Sequence, residues 1–152
     1  MCGIFAYMGH TPLSILEVLK LLHILESDQE PNEITPVGGH GAGISYLNEK
    51  GKLTLEKVGK TNGSPCYELS SKLGEKIGNS SHILGHVRRA SPEFKATIKH
   101  RECTQPYKPS CTHGLNIVST HNGKVQNYQE LKNILAKPHK FESQKIELID
   151  SE

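Results

Sequence analysis

The residues best suited to chemistry stand at the start of the chain, where Cys2 follows Met1 and precedes Gly3. Methionine aminopeptidase generally removes a methionine before a small residue, which would leave Cys2 with both a thiol and a free α-amino group. The reference pKa values of these groups are close, about 8.5 for the thiol and about 7.7–8.0 for the amine. A base of matched pKa beside a nucleophile suits covalent catalysis near neutral pH. Taken alone, these residues are also compatible with an ordinary cysteine in a first strand.

Two later stretches carry groups that could hold a substrate. The sequence GHVRRAS at 85–91 puts two arginines at the end of a predicted strand, where a guanidinium can bind a carboxylate through two parallel hydrogen bonds. A surface charge pair is the alternative there. The sequence THNG at 120–123 offers the Asn122 amide and the Gly123 N–H as donors to one oxygen, as an oxyanion hole requires. The alternative for this stretch is an Asn-Gly hairpin turn. A third candidate is the carboxylate of Asp150, which by itself indicates no function.

Apolar periodicity and turn residues predict the elements that must position these groups. They predict strands at 4–7, 44–47, 53–58, 82–87 and 115–121, helices at 13–25, 64–78 and 128–136, and a further helix or strand edge at 146–152. We expect Thr11 to cap the first helix, with Pro12 at its first position. The glycines at 38–43 indicate a backbone brought close to another group, and a flexible loop is the alternative.

Composition narrows the function classes. A chain of 152 residues suits one domain, and a formal charge of +2 is too small to indicate a nucleic-acid or membrane surface. No apolar run approaches the length of a membrane span, so a cytosolic (cytoplasmic) protein is expected. The four cysteines form no C-x-x-C pair, and a zinc site from Cys103, Cys111 and His100 or His113 matches no common spacing. We therefore predict no metal and no cofactor, and leave the roles of Cys66, Cys103 and Cys111 open.

Several short motifs, in this order, resemble those of the class II glutamine amidotransferases, whose glutaminase domain is an amino-terminal-nucleophile hydrolase. They are MCGIF at 1–5, GAGI at 41–44, GHVR at 85–88, QPY at 105–107, HNG at 121–123 and DSE at 150–152. The similarity runs through essentially the whole chain. The GHVR stretch is most similar to the amidophosphoribosyltransferase and stand-alone amidotransferase branches.

The resemblance implies a role for each matching residue. Cys2 would be the nucleophile with its own α-amino group as base, and Asn122 and Gly123 would form the oxyanion hole. Arg88 would bind the α-carboxylate of glutamine and Asp150 its α-ammonium group. Backbone groups near Ser91 and Gly123 would complete the pocket.

The resemblance also implies an α+β fold, a four-layer αββα sandwich of two antiparallel sheets, with residues 1–152 as one glutamine amidotransferase type-2 domain. Family domains continue beyond the Asp150 motif, so the chain is expected to lack the C-terminal part of that fold. Two local departures are Arg89, where many members have an aromatic or small residue, and Gly38-Gly39-His40, where an arginine-glycine pair is usual.

The function expected on this basis is hydrolysis of glutamine to glutamate and ammonia for a partner synthase or a missing acceptor domain. There are two alternatives: an enzyme that cleaves another γ-glutamyl amide, and a catalytically silent interaction or regulatory domain. No nucleic-acid or membrane partner is expected, and a homo-oligomer is left open. The long polar stretch 88–104 predicts a mobile lid over the glutamine pocket.

Overall fold

The computed structural model describes residues 2–29, 31–74, 77–111, 114, 117–135 and 139–152, except for the side chain of Cys111. The strands are β1 (Gly3–Ser14), β2 (Gly41–Leu47), β3 (Leu53–Gly59), β4 (Asn79–Val87), β5 (Ser110–Cys111) and β6 (His139–Lys140). The helices are α1 (Ile15–Ser27), α2 (Pro65–Leu73) and α3 (Tyr128–Leu135), with three short 3-10 helices at Pro92–Thr97, Arg101–Cys103 and Ser143–Lys145. This is a mixed α+β domain.

Four strands form one antiparallel sheet in the order β1-β4-β2-β3, and β5 pairs with β6 in a second, two-stranded sheet. The central strand β4 ends between the first residues of its two neighbours, because Val87 pairs with Gly3 of β1 and with Ala42 of β2. This register brings the chain start beside residues 88–91, which follow β4.

Helices α1 and α2 cover one face of the four-stranded sheet. Their apolar stripes meet alternate residues of the strands in one core. Its buried members are Ile15, Val18, Leu19, Leu22, Val37, Ala42, Ile44, Tyr46, Cys66, Leu69, Ile83 and Val87. At α2, the predicted Ser64-Pro65 start is confirmed, since the Ser64 side chain accepts from Tyr67 N–H.

The predicted cap of the first helix is wrong. Thr11 and Pro12 lie inside β1, which resumes pairing with β4 at Leu13 after a bulge. Ser14 is the N-cap instead, and its side chain accepts from Glu17 N–H. Sheet pairing outweighs the local cap signal because each added pair satisfies backbone groups that a free loop would leave to water.

Among the described residues, the opposite face of the sheet is covered at one end only. A second core of Phe94, Cys103, Tyr107 and Ile149 lies there. Lys57 of β3 ties the C-terminal segment to this face, with its ammonium group 2.7 Å from the Glu142 carboxylate and 5.0 Å from the centre of the Tyr107 ring.

Three further predictions need correction. The α2 helix ends at Leu73 rather than 78, because Gly74 caps it with φ +74°. The described residues of the predicted strand 115–121 form only an isolated bridge, between Ser119 and Tyr107, while 115 and 116 lie outside the described residues. The stretch 146–152 is neither helix nor strand.

The stretch 88–104 is also more ordered than a long polar loop. It holds two 3-10 helices, and the side chains of Phe94, Thr97 and Cys103 are buried. The hairpin at residues 44–58 and the strand at 82–87 are confirmed, with longer bounds. Across the described part of the chain, none of the helices has the length and apolar character needed to cross a membrane.

Candidate active site

The half-buried thiol of Cys2 lies against the backbone of Arg89. The Arg89 N–H donates to the Cys2 Sγ at 3.1 Å. The thiol in turn donates to the Arg89 carbonyl oxygen at 3.3 Å. Burial raises the pKa of Cys2, while the Arg89 N–H and the charges of Arg88 and Arg89 act against that rise. The thiol therefore needs a base to become a nucleophile near neutral pH.

Two contacts fix the backbone on which the thiol rests. The Arg89 guanidinium donates to the Pro36 carbonyl oxygen at 2.8 Å through Nε. The ring of His40 accepts from Ala90 N–H at 3.0 Å through Nδ1. The pKa of His40 is lowered to about 4, mainly by burial and further by the positive charge of Arg89. The acceptor nitrogen therefore stays unprotonated at neutral pH. Residues 36–40 thus hold 89–90 in place beside Cys2.

Asn122 reaches the same residue from another part of the chain. Its side-chain Nδ2 donates to the Cys2 carbonyl oxygen. The turn that carries Asn122 is clamped by Gln105, whose side chain donates to the His121 carbonyl oxygen and accepts from the His121 N–H. Gly123 has φ +135°, a conformation that side-chain-bearing residues rarely adopt.

A cavity of about 80 Å³ joins these groups. Five of the six predicted site residues line it: Cys2, Arg88, Ser91, Gly123 and Asp150. The sixth, Asn122, is not among the lining residues but is hydrogen-bonded to Cys2, which is. Residues up to 148 positions apart in sequence thus meet at one point, 150 − 2 = 148.

Arg88 is buried and is held by Thr97. One terminal nitrogen donates to the Thr97 carbonyl oxygen at 3.2 Å and the other to its hydroxyl oxygen at 2.7 Å. Burial lowers the pKa of Arg88, but an arginine keeps its charge in proteins. Two of its five N–H donors are therefore engaged by the described residues, which leaves three to bind an anion.

Asp150 also lines the cavity. Its Oδ2 accepts from Val125 N–H at 3.1 Å and its Oδ1 from the Ser151 hydroxyl at 3.1 Å. Each carboxylate oxygen has a second lone pair, so the group can still accept from a cation. The cavity therefore presents a guanidinium and a carboxylate at separate points, with a thiol as the third group.

Several positioning residues were missed in the sequence. Gln105 and His86 lie within the QPY and GHVR motifs, but the resemblance implied no role for them, and Thr97 and His40 had no local pattern that predicted a supporting role. The glycines at 41–43 did carry a signal: a Cβ on Gly43 would lie 2.2 Å from the Gln105 carbonyl oxygen, so the predicted close approach is confirmed. At Gly3 the groups that approach are the side chains of Leu25 and Val87.

Metal ligands are not grouped in the described part of the chain, where no set of three or more His, Cys, Asp or Glu side chains could hold an ion. The zinc alternative rests partly on Cys111 and His113, which fall outside the described side chains. Cys66 and Cys103 are free and buried, and burial raises the pKa of both thiols.

In this antiparallel α+β domain, a cysteine near the chain start, a guanidinium and a carboxylate line one cavity. Comparison with curated proteins found one relative. The chain is 34% identical over 152 residues to the glutamine–fructose-6-phosphate aminotransferase (isomerizing) of Pyrococcus horikoshii. The match covers 94% of this chain, and the chain spans 20% of that relative's length.

The resemblance to the glutaminase domain of class II glutamine amidotransferases is therefore confirmed: the chain is homologous to that domain of the relative. No protein-family model matches the chain. No solved structure matches it either.

Proposed function

We propose that this chain is a glutaminase domain that hydrolyses the side-chain amide of glutamine through a γ-glutamyl thioester on Cys2. One observation supports this most directly: Cys2, Arg88 and Asp150 line one cavity, and Asn122 is hydrogen-bonded to Cys2. The name of the relative begins with glutamine, which supports this choice of substrate.

Activation of the thiol is the first step. After removal of Met1, the α-amino group of Cys2 accepts the thiol proton, directly or through one water molecule. This base is needed because burial raises the pKa of the thiol. The thiolate then attacks the amide carbon, and the negative charge moves to the carbonyl oxygen.

That oxyanion is stabilised by Asn122 and Gly123. The Asn122 amide and the Gly123 N–H supply donors at the point where charge develops. The protonated amine returns its proton to the leaving nitrogen, so ammonia departs and a thioester remains. Water then adds to the thioester carbon, the C–S bond breaks, and glutamate leaves with the thiol restored.

The remaining two charged residues bind the other end of glutamine. Arg88 pairs with the α-carboxylate through the donors that Thr97 leaves free, and Asp150 accepts from the α-ammonium group. Backbone groups near Ser91 complete the pocket. A cation and an anion at separate points select a zwitterion and disfavour a substrate with only one charge.

The fold that accompanies this function is the αββα sandwich of amino-terminal-nucleophile hydrolases. Its support is the uncovered face of the four-stranded sheet, where the side chains of Ile4 and Met8 are 39% and 80% exposed. A second sheet packed on that face would bury them. The free thiols of the three described cysteines support a reducing compartment, which we take to be the cytoplasm.

The ammonia needs an acceptor enzyme. The relative is about five times longer than the aligned chain, since the chain spans 20% of it, and its name describes an aminotransferase. A synthase partner or an attached acceptor domain is therefore part of the proposal, and a homo-oligomer remains an alternative arrangement.

Covalent labelling tests the proposal. A glutamine-analogue electrophile such as diazo-oxo-norleucine is expected to label Cys2 and to spare Cys66, Cys103 and Cys111. Intact mass should show a chain that begins at Cys2, and Cys2→Ala should abolish both labelling and ammonia release. Equal labelling of the other cysteines, or glutamine hydrolysis by Cys2→Ala, would overturn the proposal.

A catalytically silent domain is the second candidate, favoured by the size of the cavity. Small-molecule pockets usually measure about 300–1,000 Å³, whereas this cavity measures about 80 Å³. Glutamine can enter only if the walls separate. Chains that begin at Cys2 yet neither take the label nor release ammonia would favour the silent domain, whereas labelling without glutamine turnover would favour another γ-glutamyl amide.

A further inference from the structure

His86 is a buried polar side chain to which the proposed reaction gives no role. It lies in β4, two residues before Arg88, and its side chain has no solvent exposure. Neither ring nitrogen forms a hydrogen bond of normal geometry within the described residues. Buried polar groups are nearly always bonded in folded proteins, so one with two unbonded nitrogens calls for an explanation.

The sheet directs this ring toward the candidate site. Its chain neighbours Gly85 and Val87 face the helices, since a Cβ on Gly85 would meet Leu22 and Val87 lies in the helix-side core. His86 therefore points to the opposite face, between its cross-strand partners Ile4 and Gly43. Backbone atoms of Gln105 and the ring of Pro106 cover the Gly43 position from that side.

Asn122 is brought near this ring by the backbone. Its amide donates to the Cys2 carbonyl oxygen, and Cys2 precedes Gly3, the cross-strand partner of Val87. Burial lowers the pKa of His86 to about 4, and the Asn122 amide opposes that shift, while Arg88 and His121 add to it. The imidazole is therefore neutral at pH 7, with one N–H donor and one acceptor nitrogen.

We propose that His86 is a positioning residue that holds the Asn122 amide in its productive orientation by donating a ring N–H to Oδ1. The amide has two Nδ2 protons and one oxygen. With Oδ1 held by His86 and one proton donated to the Cys2 carbonyl oxygen, the second proton is left for the oxyanion. Without the histidine, the amide can turn over and present its oxygen to the developing negative charge.

Within the described residues, both ring nitrogens lack a hydrogen bond of normal geometry in the free protein, which leaves one of them available for this role. Hydrogen bonds within catalytic sites are often long in the free protein and tighten when substrate binds. This inference rests on the proposed function, because it assigns His86 to the oxyanion donor of that reaction.

A comparison of His86→Leu with His82→Leu tests it. His82 lies on the same strand and the same face, four residues away, but is exposed and bonded to Ser81. His86→Leu is expected to lower kcat for glutamine by roughly ten-fold to a hundred-fold with little change in KM. The His82→Leu control is expected to leave both constants unchanged.

Coupling to Asn122 separates positioning from a general structural effect. In an Asn122→Ala background, His86→Leu is expected to lower kcat by less than about a further three-fold, because the amide that His86 would orient is gone. His86→Asn and His86→Gln place an N–H near the former Nδ1 and Nε2 positions, and at least one should recover most of the lost kcat. Full additivity with Asn122→Ala, or a folded His86→Leu variant with unchanged kcat, overturns the proposal.

A spectroscopic measurement distinguishes failure of this inference from failure of the proposed function. The side-chain amide signals of Asn122, assigned by their loss in Asn122→Ala, are observable by nuclear magnetic resonance whether or not the chain hydrolyses glutamine. They should shift in His86→Leu, or in His86→Gln if the leucine variant does not fold, and stay in place in His82→Leu. Unshifted signals overturn the positioning role, and absent glutamine hydrolysis in the wild-type chain overturns the proposed function alone.

Discussion

At the residue scale, Arg88 lines the cavity and Asn122 is bonded to Cys2, and the two residues are expected to affect different kinetic constants. Arg88 would bind a charge that glutamine carries before and during the reaction, so its loss weakens binding throughout. Removing one partner of a buried charge pair costs on the order of 2–5 kcal/mol. We therefore expect Arg88→Ala to lower kcat/KM at least tens-fold. Steady-state kinetics would measure this, with the exposed Arg101→Ala as the matched control.

Asn122→Ala is expected to act mainly on kcat, by about a hundred-fold or more, because its partner charge exists only in the transition state. The same kinetic assay compares the two variants. Intact glutamine kinetics in Arg88→Ala would place the carboxylate site elsewhere, and a change confined to KM in Asn122→Ala would remove that amide from the oxyanion hole.

At the element scale, the segment 88–104 connects the end of β4 to the Gln105 clamp. Thr97 joins its middle to Arg88, and Phe94 and Cys103 anchor it in the second core. Because the cavity is narrow, glutamine entry requires some part of its wall to move. Closure of this segment over bound glutamine stays a prediction.

Hydrogen exchange with and without a bound glutamine analogue measures that closure. We expect amide protection across 88–104 to rise on binding, since the carboxylate gives Arg88 a further partner, and protection in β3 to stay constant. Thr97→Val keeps the shape of the side chain but removes the hydroxyl acceptor, and should reduce protection in the unliganded protein. Unchanged exchange in 88–104 on binding would mean that another part of the wall opens.

At the scale of the whole molecule, two neutral histidines make stability depend on pH. The pKa of His86 and that of His40 are both lowered by burial, from 6.5 to about 4. Between those values the unfolded chain binds protons that the folded chain does not, so stability is full above about pH 6.5 and falls as pH decreases toward 4. For the fully buried His86 the loss is at most about 3 kcal/mol.

Urea unfolding at pH 7 and pH 4.5 would measure this loss. His86→Leu is expected to unfold with a smaller difference between the two pH values than the wild-type chain, while His82→Leu keeps the wild-type difference. Carboxylates that titrate in the same range contribute equally to both variants, so the comparison isolates His86. An unchanged pH dependence in His86→Leu would mean that this histidine is charged in the folded protein.

Local patterns in the sequence determined much of what was found. The apolar stripe of α1, the Ser64-Pro65 start of α2 and the hairpin around Asn48–Gly51 depend on neighbours within a few positions, and each was predictable. The candidate residues Cys2, Arg88, Asn122 and Asp150 were named from the order of the family's motifs in the sequence, and their roles stay predictions.

Tertiary structure alone decided what holds those residues. Thr97 bonds to Arg88, His40 bonds to the backbone beside Cys2, and the His86 ring is buried beneath the Gln105 segment. It also decided that Thr11 and Pro12 join β1 and that most of the predicted strand 115–121 does not form. Each outcome depends on groups far apart in sequence, whose burial and hydrogen bonding are set only when the sheet, its covering helices and the C-terminal segment pack together.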